Sequence, residues 1–243
     1  MQLKGASAVS ESVIRAAWIL SFLASAVASG CSEFPRDAED TLRELESGRP
    51  LVVGWSPAAP WVEGAAGGEP AGVEADIIRQ WAASRGFRIR WVEAGEAQIV
   101  EGLNGNSLDV GIAGFTDQMP HGGMIGQTQP YLHAKVVIGM ALGATVPDDW
   151  TGVRVSHDSR RPDLAALLLK QKAVPTTGQA SYRLVYEPEL GAAGLVATGK
   201  TLRTERRTIA TAPAENALTL ALDRFLHANK PAIEARLKAE GRR

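Results

Sequence analysis

Apolar side chains fall into short blocks along this chain, and the spacing inside the blocks switches between a strand rhythm and a helix rhythm. Leu51 to Trp55 is a continuous apolar run that stops at SPAAPW, which predicts a buried strand entering a loop. From Val73, the positions Val73, Ile77, Ile78, Trp81 and Ala82 share one helical face, and Gly86 is placed to end that helix. Phe87, Ile89 and Trp91 alternate with charged neighbours, as a strand does. A helix through Ile99, Val100 and Leu103 ends in Asn-Gly-Asn, and LDVGIAGF (Leu108 to Phe115) reads as a third strand. Lys135 to Gly143 is a further strand, and DDWTGVRVSHDS offers another that ends in polar residues. Arg161 to Ala173 predicts a helix with Asp158 or Ser159 as its N-cap. Tyr182 to Arg203 follows neither rhythm and reads as irregular. Arg206 to Ala212 is a strand, followed by a helix through Leu218, Leu222, Phe225 and Leu226 and a last helix through Ile233 and Leu237.

Strands alternating with helices across short connections predict a parallel α/β sheet, whose ligands sit at the carboxyl ends of the strands. The third predicted strand opens into GFTDQMPHGGMIGQTQPYLH, from Gly114 to His133, in which Asp117 is the one formal charge. Glycine, amide and hydroxyl groups are therefore concentrated where a binding crevice belongs.

The N-terminal region breaks the pattern. Lys4 and Arg15 precede an apolar run from Ala16 to Ala28, the length of a signal-peptide core and short of the ~20 residues that span a bilayer. Met1 to Gly30 is read as an export signal. Cys31, the chain's one cysteine, follows Ala28-Ser29-Gly30 as in the bacterial lipobox, where the cysteine is acylated; simple cleavage after Ala28, leaving a soluble periplasmic protein, is the alternative. Residues 31–49 then read as a polar tether with a short exposed helix. With one cysteine the chain builds no internal disulfide, so its stability must come from its core. The 243 residues carry a net charge of -1 with scattered basic groups, which excludes a nucleic-acid footprint. No histidine spacing suits zinc, and no cofactor is implied.

Residues Leu51 to Tyr131 resemble the first lobe of the family 3 extracytoplasmic solute-binding proteins, the receptors of polar amino-acid ABC importers. LVVGWSPAAPW, GEPAGVEADII, LNGNSLDVGIAG and TQPY carry the likeness in that order, and RTIATAPAENALTLALDRFL is similar to the segment that returns to the first lobe. The resemblance implies a two-lobed periplasmic binding protein fold, type II-like, each lobe an α/β sheet flanked by helices. Residues 50–134 plus 207–243 would form lobe 1 and residues 135–206 a short lobe 2, with crossings near His133 to Val137 and Thr204 to Thr208. It also implies a monomer that closes on a small polar solute and hands it to a membrane permease.

Candidate ligand contacts in lobe 1 are the rings of Trp55 and Trp61, the backbone of Gly114 and Phe115, and the polar groups of Thr116, Asp117 and His121. In lobe 2 they are Ser156, Asp158 and Ser159, where a strand meets a helix N-terminus. Ungapped matching puts His121 where the family's loop carries the arginine that grips an α-carboxylate, and no lysine or arginine stands in this loop. The expected ligand is therefore not an ordinary α-amino acid held by an arginine, and Asp117 suits a neutral or cationic solute. Two alternatives remain: an enzyme like the cyclohexadienyl dehydratases, with Asp117, His121, His157 and Asp158 as its acid-base groups, and a sensor or accessory lipoprotein without transport.

Overall fold

The computed structural model describes residues 35–64, 68–119, 123–159 and 161–240. The export segment, Cys31 and His121 lie outside the described residues. In chain order the elements are α1 (Thr41–Glu46), β1 (Leu51–Trp55), β2 (Glu63–Gly64), β3 (Pro70–Ala71), α2 (Val73–Arg85), β4 (Ile89–Glu93), α3 (Glu96–Asn104), β5 (Val110–Ile112) and β6 (Gly126–Gln127). They continue with β7 (Leu132–Ala141), β8 (Arg154–Ser156), α4 (Pro162–Lys170), β9 (Val174–Thr176), β10 (Tyr182–Tyr186), β11 (Leu195–Arg207), β12 (Ala210–Thr211) and α5 (Asn216–Glu240).

Among the described residues, the strands form two five-stranded sheets and a β2–β3 hairpin. The first sheet has the order β4-β1-β5-β12-β6, with β4, β1 and β5 parallel and β12 antiparallel to β5. All of Leu51–Trp55 is buried because β1 is central and covered on both faces, which is why its sequence is an unbroken apolar run. α2 buries Val73, Ile77, Ile78, Trp81 and Ala82, the face its spacing predicts, and its C-cap Gly86 takes the left-handed conformation at φ 72°. The second sheet has the order β11-β7-β10-β8-β9. Residues from Asp37 onward form one unit that holds both sheets.

β7 and β11 pair antiparallel, from Arg207 opposite Leu132 to Leu195 opposite Ala141. Their ends nearest β6 and β12 adjoin the first sheet and their other ends belong to the second. One apolar cluster is continuous from Val53, Trp81 and Leu222 to Ile138, Leu168 and Leu184, so the two sheets share a core. A second cluster, around Ile99, Leu103 and Phe115, covers the other face of the first sheet.

Three elements differ from the sequence reading. The segment after Cys31 is not all tether: α1 buries Thr41 and Leu45. Asp37 accepts from the N–H groups of Leu42, Ala217 and Leu218 at 2.6–2.9 Å, and Glu215 accepts from those of Glu39 and Thr41. These two carboxylates tie the start of α1 to the start of α5. Tyr182 to Arg203 is not irregular but forms β10 and much of β11. The last two predicted helices are one, continuous across Pro231, because Leu222, Leu226, Ile233 and Leu237 on both sides of the proline bury in the same core.

Candidate functional site

β1 runs out at Trp55 into Ser56–Ala59, and β5 runs out at Ile112 into Ala113–Met119, so both loops reach the carboxyl edge of the first sheet. Across from them stand Asp158, Arg161 and Asp163, which follow β8, and the last residues of β11. These groups line a cavity of about 530 Å³. Its first-sheet wall is fixed by backbone bonds. Ser56 N–H donates to Ile112 O, Asp117 N–H to Arg206 O and Thr208 N–H to Phe115 O, each at 3.1 Å.

Gly114 holds φ at 65°, and a Cβ there would lie 2.9 Å from Trp61 Cδ1 and 3.1 Å from Arg207 Nη1, so conformation and space both require glycine. Its N–H donates to Glu74 Oε2 at 3.0 Å, and the Tyr131 hydroxyl donates to Glu74 Oε1 at 2.7 Å. Burial pushes the Glu74 carboxyl up, against the opposing pull of those two donors and of the Arg207 charge. Burial and the adjacent Glu74 push the Tyr131 phenol well above its ordinary value.

Glu205 is buried where three guanidinium groups meet. Arg203 and Arg207 pair with it directly, and Arg161 Nη2 donates to it at 3.2 Å. The Tyr186 hydroxyl donates to Glu205 Oε2 at 2.8 Å and accepts from Arg161 and Arg207 at 2.5 Å. Arg207, 3% exposed, lies 4.5 Å from the centroid of the Trp61 ring and 5.2 Å from that of Tyr186, and its Nη1 donates to Gly114 O. Asp163 takes a two-pronged bond from Arg161 at 2.8 Å and one from Arg203 at 2.6 Å. Burial alone would raise the Glu205 carboxyl, but Arg207, the Tyr186 hydroxyl, Arg203 and Arg161 outweigh it and hold it below the ordinary value. Hydrogen bonds from Arg161, aided by Arg203, hold Asp163 far below the usual carboxylate range.

These shifts have opposite consequences for stability against pH. A carboxyl depressed in the folded state stabilises fully above its unfolded value of about 4 and loses that contribution as pH falls through the folded value. A raised carboxyl such as Glu74 favours the fold as it is protonated. Thermal midpoints followed from pH 6 to pH 3 should therefore fall below about pH 4. Asp163→Asn should make that fall shallower, and Glu74→Gln should abolish the gain in stability that Glu74 protonation gives as pH falls from 6 toward about 4.5. A profile unchanged by both substitutions would contradict the assignment.

Among the described residues, four buried polar atoms on cavity-lining side chains have no hydrogen-bond partner: Trp61 Nε1, Arg203 Nε, Arg207 Nε and Asp117 Oδ1. Each such atom left unsatisfied costs about 1–3 kcal/mol.

Of the residues singled out in the sequence, the structure brings Trp61, Gly114, Phe115, Thr116, Asp117 and Asp158 to this cavity. Trp55 does not line it and is a core ring, 2% exposed. Ser156 also lies off the cavity, with its hydroxyl 3.3 Å from Tyr182 O, and Ser159 is exposed without lining it. Neither Asp158 nor Ser159 caps α4, whose N-cap residue is Arg161. Asp117 is paired with Arg206 through Oδ2. Sequence reasoning missed Arg161, Asp163, Arg203, Glu205 and Arg207. The loop after β5 has no basic group, yet guanidinium groups reach the cavity from β11 and from the start of α4. A second cavity of about 540 Å³ shares Trp61, Asp158 and Arg161 with the first. Among the described residues no group of three or more potential ligands could hold a metal, and no helix is long and apolar enough to cross a membrane.

No curated protein sequence matches the chain. Solved structures show the fold. An ancestral cationic amino acid solute-binding protein superposes with a TM-score of 0.66 at 17% identity, covering 84% of this chain and 100% of its own. A putative ABC-transporter binding component from Wolinella succinogenes, complexed with lysine, gives 0.58 at 19%, covering 77% and 93%. The second substrate-binding domain of GlnP from Lactococcus lactis, in an open conformation, gives 0.61 at 14%, covering 79% and 95%. The fold is thus the two-lobed α/β fold of periplasmic binding proteins. Residues 51–232 match the family model described as bacterial extracellular solute-binding proteins, family 3. With that match spanning most of its length, the chain belongs to the family 3 bacterial extracellular solute-binding proteins.

Proposed function

We propose that this chain is the substrate-binding component of an ABC importer and holds a small polar solute in the 530 Å³ cavity between its two sheets. The observation that carries the reading is the cavity itself, walled by the loops after β1 and β5 on one side and by Asp158, Arg161 and Asp163 on the other. Family membership supports capture outside the cytoplasm, and structural neighbours named for lysine or cationic amino acids make nitrogenous solutes the first to try. The ligand is not an α-amino acid gripped by a loop arginine, because the loop after β5 has none and Arg161, Arg203 and Arg207 are bonded to the chain's own carboxylates.

A thermal-shift screen of the mature protein against amino acids, polyamines, sugars and anions tests this. A true ligand at 100 times its dissociation constant adds about 2.7 kcal/mol, which for a chain of this size is a rise of roughly 5–10 °C. No response to any class would count against solute capture. Cys31 is the proposed acylation site, so Cys31→Ser should move the protein from the membrane fraction to the soluble periplasm, and unchanged fractionation would refute the anchor.

A further inference from the structure

Glu205 stands where a carboxylate-binding site would be expected to receive its ligand. Three guanidinium groups, those of Arg161, Arg203 and Arg207, converge on its oxygens inside the cavity wall, with the Tyr186 hydroxyl as a fourth donor. Convergent guanidinium forks and a tyrosine hydroxyl are the chemistry that recognises a carboxylate. Here the carboxylate is the chain's own. We propose that Glu205 is the specificity determinant of the cleft: it fills the guanidinium cluster from within, so that the native site takes neutral or cationic solutes without a carboxylate, and its removal turns the site into a carboxylate receptor. The proposal rests on reading this cavity as the solute site.

Glu205 cannot readily give way. Its residue pairs with Ala134 of β7 in a stretch of unbroken register from Arg203 to Arg207, and alternation along that stretch puts Arg203, Glu205 and Arg207 on one face. Being covalently placed, it competes with any dissolved carboxylate at a high effective concentration. An entering carboxylate would also face Asp163, bonded to the same Arg161 and Arg203. The uncharged polar residues lining the cavity, Ser56, Thr116, Gln118 and Thr204, are hydroxyl and amide groups suited to carbonyl, hydroxyl or ammonium groups of a solute.

The test uses solute pairs in which carboxylates are removed or amidated: putrescine against ornithine, agmatine against arginine, succinamide against succinate. In the native protein the carboxylate-free member of each pair should give the larger thermal shift. In Glu205→Gln the order should reverse, with affinity for succinate or acetate raised at least about tenfold by the freed charge-assisted bonds. Glu205→Ala offers a second readout, because formate fits the vacated position and should stabilise this variant saturably while leaving the native protein unmoved. If Glu205→Ala is recovered unfolded, refolding driven by formate supports the proposal and failure to refold in formate overturns it. Native preference for the carboxylate-bearing members, or folded variants that ignore carboxylates, also overturns it. A native protein that ignores every solute while Glu205→Gln gains carboxylate binding would keep the role of Glu205 and reject solute capture instead.

Discussion

Arg207→Met should lower the unfolding free energy by about 3 kcal/mol, the lower end of the 3–5 kcal/mol expected when one partner of a buried ion pair is removed. The lower end applies because Arg161 and Arg203 still face Glu205, although both are about a third exposed and their charges are partly screened. The substitution also removes the cation between the Trp61 and Tyr186 rings and the donor to Gly114 O. At ~2–4 °C per kcal/mol the thermal midpoint should drop by roughly 6–12 °C. Glu205→Gln in the same chain should restore part of the loss, since it removes the charge that Arg207→Met leaves short of a partner; a double-mutant cycle would read this as a positive coupling. A loss below about 1 kcal/mol, or simple additivity, would mean that the pair behaves as a solvated surface bridge. The measurement decides whether the strand joining the lobes is held by a desolvated network or merely decorated with charge.

How much of this was legible in the sequence depends on whether burial follows hydrophobicity. In β1 and α2 it does: Val53, Ile77 and Trp81 are apolar and buried, and their spacing located both elements. In β11 it does not. That strand pairs along β7 at the sheet's edge and carries Thr198, Lys200, Arg203, Glu205 and Arg207, so no apolar rhythm marks it. One signal was present: in Arg203-Thr204-Glu205-Arg206-Arg207 the strand period puts opposite charges on one face, and the buried residues are Glu205 and Arg207 while Thr204 and Arg206 are exposed. The first-lobe rim was found because Gly114 to Asp117 follow a strand end, where chain topology places loops whatever their composition. Ser156 and Ser159 were placed by the same reasoning, but the helix start they flank is occupied by the Arg161–Asp163 pair. Trp55 and Trp61 differ in sequence setting, one ending an apolar strand run and the other following Pro60 in a loop, and of the two it is Trp61 that lines the cavity.

Trp61→Ala should remove solute binding and destabilise the protein by about 3–5 kcal/mol, the usual range for emptying a buried aromatic site. Trp61 is 1% exposed, its ring meets Tyr186 edge-on at 5.1 Å, and the same ring carries the Arg207 guanidinium. It lines both cavities, of about 530 and 540 Å³, so its loss would open one into the other and leave a solute without a wall. Such a large effect cannot by itself separate recognition from folding. Trp61→Phe can, because it keeps a six-membered ring in place and loses three ring atoms, among them Nε1, which has no protein partner to lose. Its stability should fall by about 1–2 kcal/mol, well short of Trp61→Ala, because only part of the buried ring volume is emptied. Its affinity for the solute found by thermal shift should fall about five- to tenfold, through the apolar contact that the lost ring atoms make with the solute. Undiminished affinity in Trp61→Phe would show that the lost part of the indole touches no ligand atom, and tight binding in Trp61→Ala would move the solute out of this cavity altogether.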